Sequence, residues 1–216
     1  MILTVGNTKG GVGKTTLAVN LAVARALQGK EILLIDGDRQ GNSQMALSIR
    51  AEGGRQPGVA CAAAVEGPAL RSLVQQMKGK FDDIIIDVGG RDSAALRAAL
   101  VLTDVLLVPF QPRSFDVWAL GDISSLVEEA RGVRDGLVAL AVLNNADPGL
   151  FSSDNREAAA AVKEISGLEY VDAPMKRRKA YTTAAALGEC VFEVKPRDDK
   201  AERELQILMD KVFNII

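Results

Sequence analysis

Histidine is absent from the 216 residues, and cysteine occurs twice, at Cys61 and Cys190. The first absence removes imidazole acid–base catalysis and His-ligated metal sites. The two thiols stand far apart in Ala- or Val-rich surroundings, which fits buried thiols in a reducing cytoplasm better than a disulfide or a metal site. Aromatics make up only 4%, with one tryptophan, Trp118. Neither sign of charge is in excess: 26 Lys+Arg against 28 Asp+Glu leave a formal net charge of -2. A nucleic-acid contact would therefore have to come from a local patch. No apolar run approaches the roughly 20 residues of a membrane-crossing helix. The N-terminus reads as a strand running straight into a glycine loop, not as a signal peptide. The expectation is a soluble, cytoplasmic chain forming one α/β domain over 1–216, with 48% hydrophobic residues to fill a core.

What the sequence does hold is concentrated in Gly6–Thr16. A short apolar run, Met1–Val5, precedes this stretch, and an Ala/Leu/Val-rich segment, Leu17–Leu27, follows it. Strand, glycine loop and helix in that order make a phosphate-binding loop. Glycines let several backbone N–H groups face one concavity, and the helix N-terminus adds its positive end. Gly10, Gly11, Val12 and Gly13 would form the cradle. Lys14 would reach the β- and γ-phosphates, and the Thr15 hydroxyl, followed by Thr16, would ligate Mg²⁺. The spacing departs from the common pattern: Thr8 stands where a glycine is usual, and an extra lysine, Lys9, opens the loop.

Two further strands end in carboxylates. Glu31–Ile35 delivers Asp36, Gly37, Asp38, Arg39, Gln40, Gly41 and Asn42. Phe81–Asp87 is apolar and ends in Asp87, which would hold Mg²⁺. Ligands gather at the carboxyl ends of strands in open parallel sheets. Val88–Ser93, with Gly89 and Gly90, reads as a flexible loop suited to nucleotide sensing. Elsewhere, Val59–Val65 and Pro68–Lys78 read as helical or partly so, Ser93–Leu102 as a helix, and Asp104–Pro109 as a strand. Val117–Arg131 reads as one long helix, entered through Phe115–Trp118 with its aromatics packed; the single Trp118 reads as a core or interface residue rather than a base-stacking platform. Leu137–Leu143 reads as a strand ending in an Asn/Asp/Pro turn, Ser153–Ser166 as a helix, and Val171–Met175 as the last strand. Lys176, Arg177, Arg178 and Lys179 form the one dense cationic run and are the candidates for DNA phosphates or an acidic partner. Asp198–Ile216 is a closing helix with Leu205, Leu208, Met209, Val212 and Phe213 on one face, read as packing on the core. Seven or so strands alternating with helices give a doubly wound, mainly parallel α/β sheet.

The stretch Lys9–Thr16 resembles the deviant Walker A motif of the ParA/MinD ATPases, and Asp36–Asn42 resembles that family's Asp-x-Asp-Pro-Gln-Gly-Asn, with Arg39 in place of proline. The resemblance runs over nearly the whole chain and is nearest to small plasmid-type ParA partition ATPases. It implies ATP and Mg²⁺ as cofactors and a P-loop NTPase fold. It implies catalytic roles for Lys9, Lys14 and Asp38, with Asp38 positioning the attacking water and Asp36 supporting the Mg²⁺ shell. The adenine would lie against Asn144 or Asn145 and the backbone of Pro174 and Met175. Lys9 would cross an ATP-sandwiched homodimer to the opposite subunit's phosphates. Weak ATPase activity, non-specific DNA binding by the ATP dimer on the nucleoid, and release stimulated by a ParB-like centromere-binding protein follow from the same resemblance.

Alternatives are a MinD-like membrane ATPase that positions the division site and a relative that positions another cargo. The closing helix carries Asp198, Asp199, Glu202, Glu204 and Asp210 among its basic residues, unlike a membrane-binding helix with a basic polar face. A nitrogenase-reductase-like electron carrier would need cluster-ligating cysteines, and Cys61 and Cys190 lie outside the loops that could supply them. A purely structural P-loop protein is disfavoured by the intact carboxylates.

Overall fold

A computed structural model describes residues 1–149 and 152–215. In chain order the elements are β1 (Ile2–Val5), α1 (Lys14–Leu27), β2 (Ile32–Gly37), α2 (Asn42–Glu52), β3 (Ala60–Ala63), α3 (Gly67–Met77), β4 (Asp83–Val88) and α4 (Ala94–Leu102). There follow β5 (Val105–Phe110), α5 (Ser114–Trp118), α6 (Leu120–Arg131), β6 (Val138–Ala146), α7 (Ser153–Lys163), β7 (Glu169–Lys176), α8 (Lys179–Ala186) and α9 (Asp199–Phe213). The strands form one sheet in the order β3-β2-β4-β1-β5-β6-β7, and every pairing is parallel. From β1 the chain moves out to β2 and β3, returns to β4, then crosses to build β5, β6 and β7. The carboxyl end of β1 therefore sits where the direction of winding reverses, the usual place for a ligand in such sheets.

Alternation along the central strands sends side chains to two separate cores, as both faces of a parallel sheet require. Leu3, Leu34, Ile85 and Leu107 pack toward α1 and α9, while Ile2, Ile35, Ile86 and Leu106 pack toward α4 and α6. Each such side chain contributes about 1.5–3 kcal/mol on burial. The stripe of α9 expected to face the core does so: Leu205, Leu208 and Val212 are fully buried, and Phe213 lies under the Arg25 guanidinium at 4.4 Å. Ile216, included in the expected helix, lies outside the described residues. Arg50 on α2 is 1% exposed and gathers distant segments: it pairs with Glu193 through two hydrogen bonds (2.9 and 3.1 Å) and donates to the carbonyls of Pro57 and Gly188.

Several expectations are corrected. Val59–Val65 is no helix; its core, β3, is an edge strand zipped to β2 from Leu33↔Ala60 to Asp36↔Ala63. The expected 117–131 helix is two helices that meet at Ala119, whose carbonyl is drawn to the Thr8 hydroxyl (3.4 Å). Trp118 is 70% exposed rather than packed, and the side chain of Phe115 lies outside the described part of the molecule. Strand β6 continues through Asn144 and Asn145, which were expected in a turn. Cys190 is buried as expected, but Cys61 on the edge strand is only half-buried.

Candidate functional site

The glycine loop leaves β1 at Gly6 and enters α1 at Lys14, with Gly11 (φ 75°) and Gly13 (φ 92°) in the left-handed region that favours glycine. Its carbonyls are held from outside by side chains. Gln111 Nε2 donates to the Gly11 carbonyl (3.0 Å), and Asn144 Nδ2 donates to the Val12 carbonyl (2.7 Å). Lys14 Nζ donates to the Lys9 carbonyl (2.8 Å). Asn7, fully buried, takes the Lys9 N–H on its Oδ1 (3.0 Å) and donates to the Pro109 carbonyl (2.9 Å). A Cβ at Gly13 would collide with the Asn144 amide. Among the described residues no partner occupies the N–H groups of residues 10–16. These are the donors that an anion at a helix N-terminus would take.

The two lysines of the loop face different surroundings. Lys14 is 7% exposed, and desolvation lowers its pKa against the opposing pull of Asp87 and Asp38. Lys9 has a side chain 43% exposed, with its ammonium 3.7 Å from Asp116 on α5, a carboxylate that is itself buried. Asp116 was not singled out from the sequence.

Three strand-end carboxylates meet beside the loop, because the β2–β4 register sets Asp36 against Asp87 and the β1–β4 register sets Val5 against Asp87. Asp36 is fully buried and engaged: Oδ1 accepts the Asp38 N–H (3.0 Å), and Oδ2 accepts the Gln44 N–H (2.9 Å). It thereby shapes the 36–44 turn and caps α2, whose own N-cap, Gly41, has no side chain to do so. Asp38 is half-buried, accepts the Gln40 N–H (3.1 Å) and lies against Gly89. Asp87 differs from both. It is 1% exposed, neither carboxylate oxygen has a hydrogen-bond partner, and the buried Ser43 hydroxyl beside it is equally without one. Burial is the main cause that pushes its pKa up to about 7. Thr15 is near enough to oppose that rise, Asp36 adds to it, and Ser43 and Lys14 oppose it further.

An orphaned buried carboxylate flanked by the Thr15 hydroxyl and a second carboxylate is an oxygen-rich, anionic donor set, which fits Mg²⁺. Thr15 and Asp87 would hold the ion, with Asp36 behind them. An open cleft of about 610 Å³ runs from Gly10 past Asp38 to Gly89, Gly90 and Arg91. Gly90 presses on the loop so closely that a Cβ there would stand 2.7 Å from Gly10 Cα and 3.0 Å from Lys14 Nζ.

The structure brings the expected base-side residues to one sheet edge, where Asn144 and Met175 are register partners on β6 and β7. The Asn144 side chain is 8% exposed and already engaged with Val12. Its neighbour Asn145 is half-buried, with φ 51°. The Met175 side chain is wholly in the core, so only backbone is offered there, while Pro174 is half-buried. The cationic run is divided. Arg178 is engaged by Glu204 (2.6 and 3.0 Å), and Lys176 donates its N–H to the same carboxylate. Arg177 and Lys179 are exposed, and Lys179 shares a groove with Lys195, in the segment leading into α9, and with Lys200 in the first turn of α9. Sequence reading passed over Asn7, Gln111, Ser43 and Asp116. The only signal for Asn7 and Gln111 was a polar residue just past the carboxyl ends of β1 and β5, and Ser43 on α2 and Asp116 on α5 gave not even that.

Residues 3–191 match the family model described as the CobQ/CobB/MinD/ParA nucleotide binding domain. The chain is 28% identical over 219 residues to the "maintenance of carboxysome distribution protein A" of Halothiobacillus neapolitanus (98% of this chain, 95% of that protein). It is 25% identical over 198 residues to "Protein ParA" of Rhizobium radiobacter (91% and 87%). Among solved structures, an ATP complex of McdA from Cyanothece superposes with a TM-score of 0.80 at 19% identity, covering 100% of this chain and 97% of that one.

Proposed function

The chain belongs to the CobQ/CobB/MinD/ParA nucleotide-binding family and is a ParA/MinD-type ATPase, and from that premise we propose that it is an ATP-driven dimer switch. In the ATP state it grips non-specific DNA, and it lets go after hydrolysis. The observation that carries the reading is the division between the two lysines of one loop. Lys14 is buried with its ammonium on the Lys9 carbonyl, and the Lys9 side chain is 43% exposed, with Asp116 as its ion-pair partner among the described residues. A cation outside the cradle adds little to binding in its own subunit, but it is placed to meet the γ-phosphate of a facing one. Dimer stability then reports which nucleotide is bound.

Within one subunit the N–H groups of residues 10–16 cradle the phosphates, and Lys14 neutralises charge on the γ-phosphoryl group. Asp38, at the mouth of the cleft, orients a water for in-line attack. The water oxygen bonds to the γ-phosphorus, the bond to the ADP oxygen breaks, and inorganic phosphate leaves. Mg²⁺ on Thr15 and Asp87, supported by Asp36, supplies charge neutralisation when bound. Asn145 and the backbone at Pro174 and Met175 border the adenine, with Asn144 behind. Basal turnover is expected to be weak, as the resemblance to the ParA/MinD ATPases implies.

Arg177 and Lys179, with Lys195 and Lys200, would meet DNA phosphates, and a ParB-like partner would stimulate hydrolysis so that a plasmid or chromosome is partitioned. The chain would work as a single P-loop ATPase domain, on the nucleoid in the cytoplasm. A second reading, in which the cargo is a protein assembly, is favoured by the end-to-end match to a carboxysome distribution protein. A MinD-like membrane role is disfavoured because the apolar stripe of α9 is used up in the core. No described helix is long and apolar enough to cross a membrane.

Gel-shift titration with ATP, ADP or no nucleotide, repeated across salt, tests the reading. We expect a shift only with ATP, indifferent to sequence, weakening by about 0.9 log units per tenfold salt for each phosphate contact. Lys9→Ala should still bind a fluorescent ATP analogue but form no ATP dimer. Equal DNA binding with ADP, or normal dimers in Lys9→Ala, would sink it.

A further inference from the structure

We propose that Arg97 is a positioning residue for ATP turnover: through Asp92 it sets the path of the Gly89–Gly90 stretch past the phosphate end of the site. The inference rests on the hydrolysis described above, and on neither the dimer switch nor DNA binding. The loop between β4 and α4 is fixed at both ends. Val88 closes the strand, and Ser93 caps the helix, its hydroxyl accepting the Leu96 N–H (3.1 Å). Between them stand two glycines, with no side chain to anchor them and more backbone freedom to lose than any other residue. Gly90 nevertheless lies against Gly10 and Lys14, and a Cβ at Gly89 would stand 3.3 Å from the Asp38 carboxylate. Arg91, next along the cleft, makes no ion pair among the described residues.

Asp92 supplies the tether. With Ser93 as N-cap of α4, Asp92 is the residue before the cap and Arg97 is the fourth of the helix. In a hydrophobic staple these two positions meet and fix the angle at which the chain enters the helix. Here a charged fork joins them. Arg97 Nε and Nη2 donate to the two Asp92 oxygens, both at 2.7 Å, and Nη1 donates to Glu129 on α6 at 2.5 Å. The same hydrogen bonds hold the Asp92 carboxyl below its usual range. Leu96 and Ala99 of α4 share one buried core with Ile123 and Val127 of α6, so Glu129 ties the guanidinium to a packed pair of helices.

The Arg97, Asp92 and Glu129 side chains are 49%, 49% and 59% exposed. Ion pairs in such surroundings add little to stability. Their effect is on direction: a bidentate guanidinium fixes the carboxylate's orientation as well as its distance. Two residues separate Asp92 from Gly90, so that orientation carries to the stretch touching Lys14. Groups around a reacting phosphate are sensitive to placement, and an error of about 1 Å can cost about a hundredfold in rate. Removing Arg97 also leaves Asp92 and Glu129 as two like charges around one gap, which drives the loop away from the helices.

Arg97→Gln in the full chain, without DNA, is assayed for ATP turnover and for equilibrium affinity toward ADP and ATPγS, read by displacement of a fluorescent ADP analogue. We expect kcat to fall roughly tenfold and ATPγS affinity roughly threefold, with ADP affinity changed by less than about twofold. The melting temperature should stay within about 4 °C of the parent. Arg97→Lys should recover part of the loss, since it keeps the charge without the fork. Asp92→Asn should match Arg97→Gln, and the double variant should lose no more than either alone. An equal loss for ADP and ATPγS, a large melting drop, additive single losses or no loss at all overturns the proposal. So does a loss that vanishes at tenfold higher protein concentration, which assigns Arg97 to a contact between copies. A parent that turns over no ATP refutes the hydrolysis reading instead, and the ratio of the two affinities still tests the tether.

Discussion

Replacing Asp87 by asparagine separates what the buried carboxylate costs from what it does. The group is 1% exposed and unpartnered, and burial, aided by Asp36, lifts its pKa from the ordinary 3.8 to about 7. Because the folded chain holds this proton more tightly than the unfolded chain, the group costs nothing below about pH 4. Stability falls as pH rises from about 4 to about 7, and the full penalty applies above that. A shift of about 3 units, at 1.36 kcal/mol each, sets a ceiling of about 4 kcal/mol. The asparagine amide remains buried without partners and returns about 1–3 kcal/mol of that. Asp87→Asn should therefore be more stable than the parent by about 1–3 kcal/mol at pH 8 in EDTA, or roughly 2–12 °C in melting temperature. The gain should shrink toward pH 5.5. Mg-ATP should reverse the order, stabilising the parent and leaving the variant nearly unmoved. Thermal unfolding followed by circular dichroism at the two pH values, with EDTA or Mg-ATP, reads all of this. A variant less stable than the parent at pH 8 in EDTA, or a gain that grows toward acid, would refute the reasoning.

Gly90→Ala tests the closeness of the 88–93 loop to the P-loop. Its backbone lies outside the left-handed region, so only the contact with Gly10 and Lys14 is disturbed, and ATP turnover should fall by roughly tenfold or more with a melting shift under about 4 °C. Arg50→Ala leaves Glu193 and two carbonyls without their buried partner and should cost about 3–5 kcal/mol in denaturant unfolding. Arg177→Ala and Arg178→Ala should separate. The first should weaken DNA binding and lower its salt slope by about one with stability unchanged, and the second should lower stability through the lost Glu204 pair. Equal effects of the two on DNA binding would mean that the run acts as a single patch.

The glycine loop, its flanking strand and helix, and the three carboxylates could be read directly because their signals are local. An apolar run followed by glycine or aspartate marks a strand's carboxyl end whatever the rest of the chain does. The edge strand β3 could not. Ala60–Ala63 carries no β-branched residue, and it is a strand only because β2 offers a free edge to pair with. The braces on the glycine loop were hidden for a related reason. Gln111 reaches Gly11, and Asn144 reaches Val12, across more than 99 residues of chain, and only the adjacency of β1, β5 and β6 brings them there. The cationic run looked uniform in sequence and is not, because Glu204, a turn into α9, takes Arg178 and leaves Arg177 exposed. Trp118 was assigned to a packed position on type alone. It is 70% exposed, at the end of α5 where the helix breaks at Ala119.

The ring of carboxamides around the glycine loop has a consequence for timing. Asn7, Gln111 and Asn144 set the loop's shape with neutral groups already in place, so an arriving nucleotide finds a finished mould and spends no time ordering one. Arrival rates for ATP and ADP should then be alike, and preference between them must lie in dwell time. A factor that speeds nucleotide exchange would have to shorten that dwell, and the handle nearest to hand is an amide brace, not the phosphate-binding backbone itself.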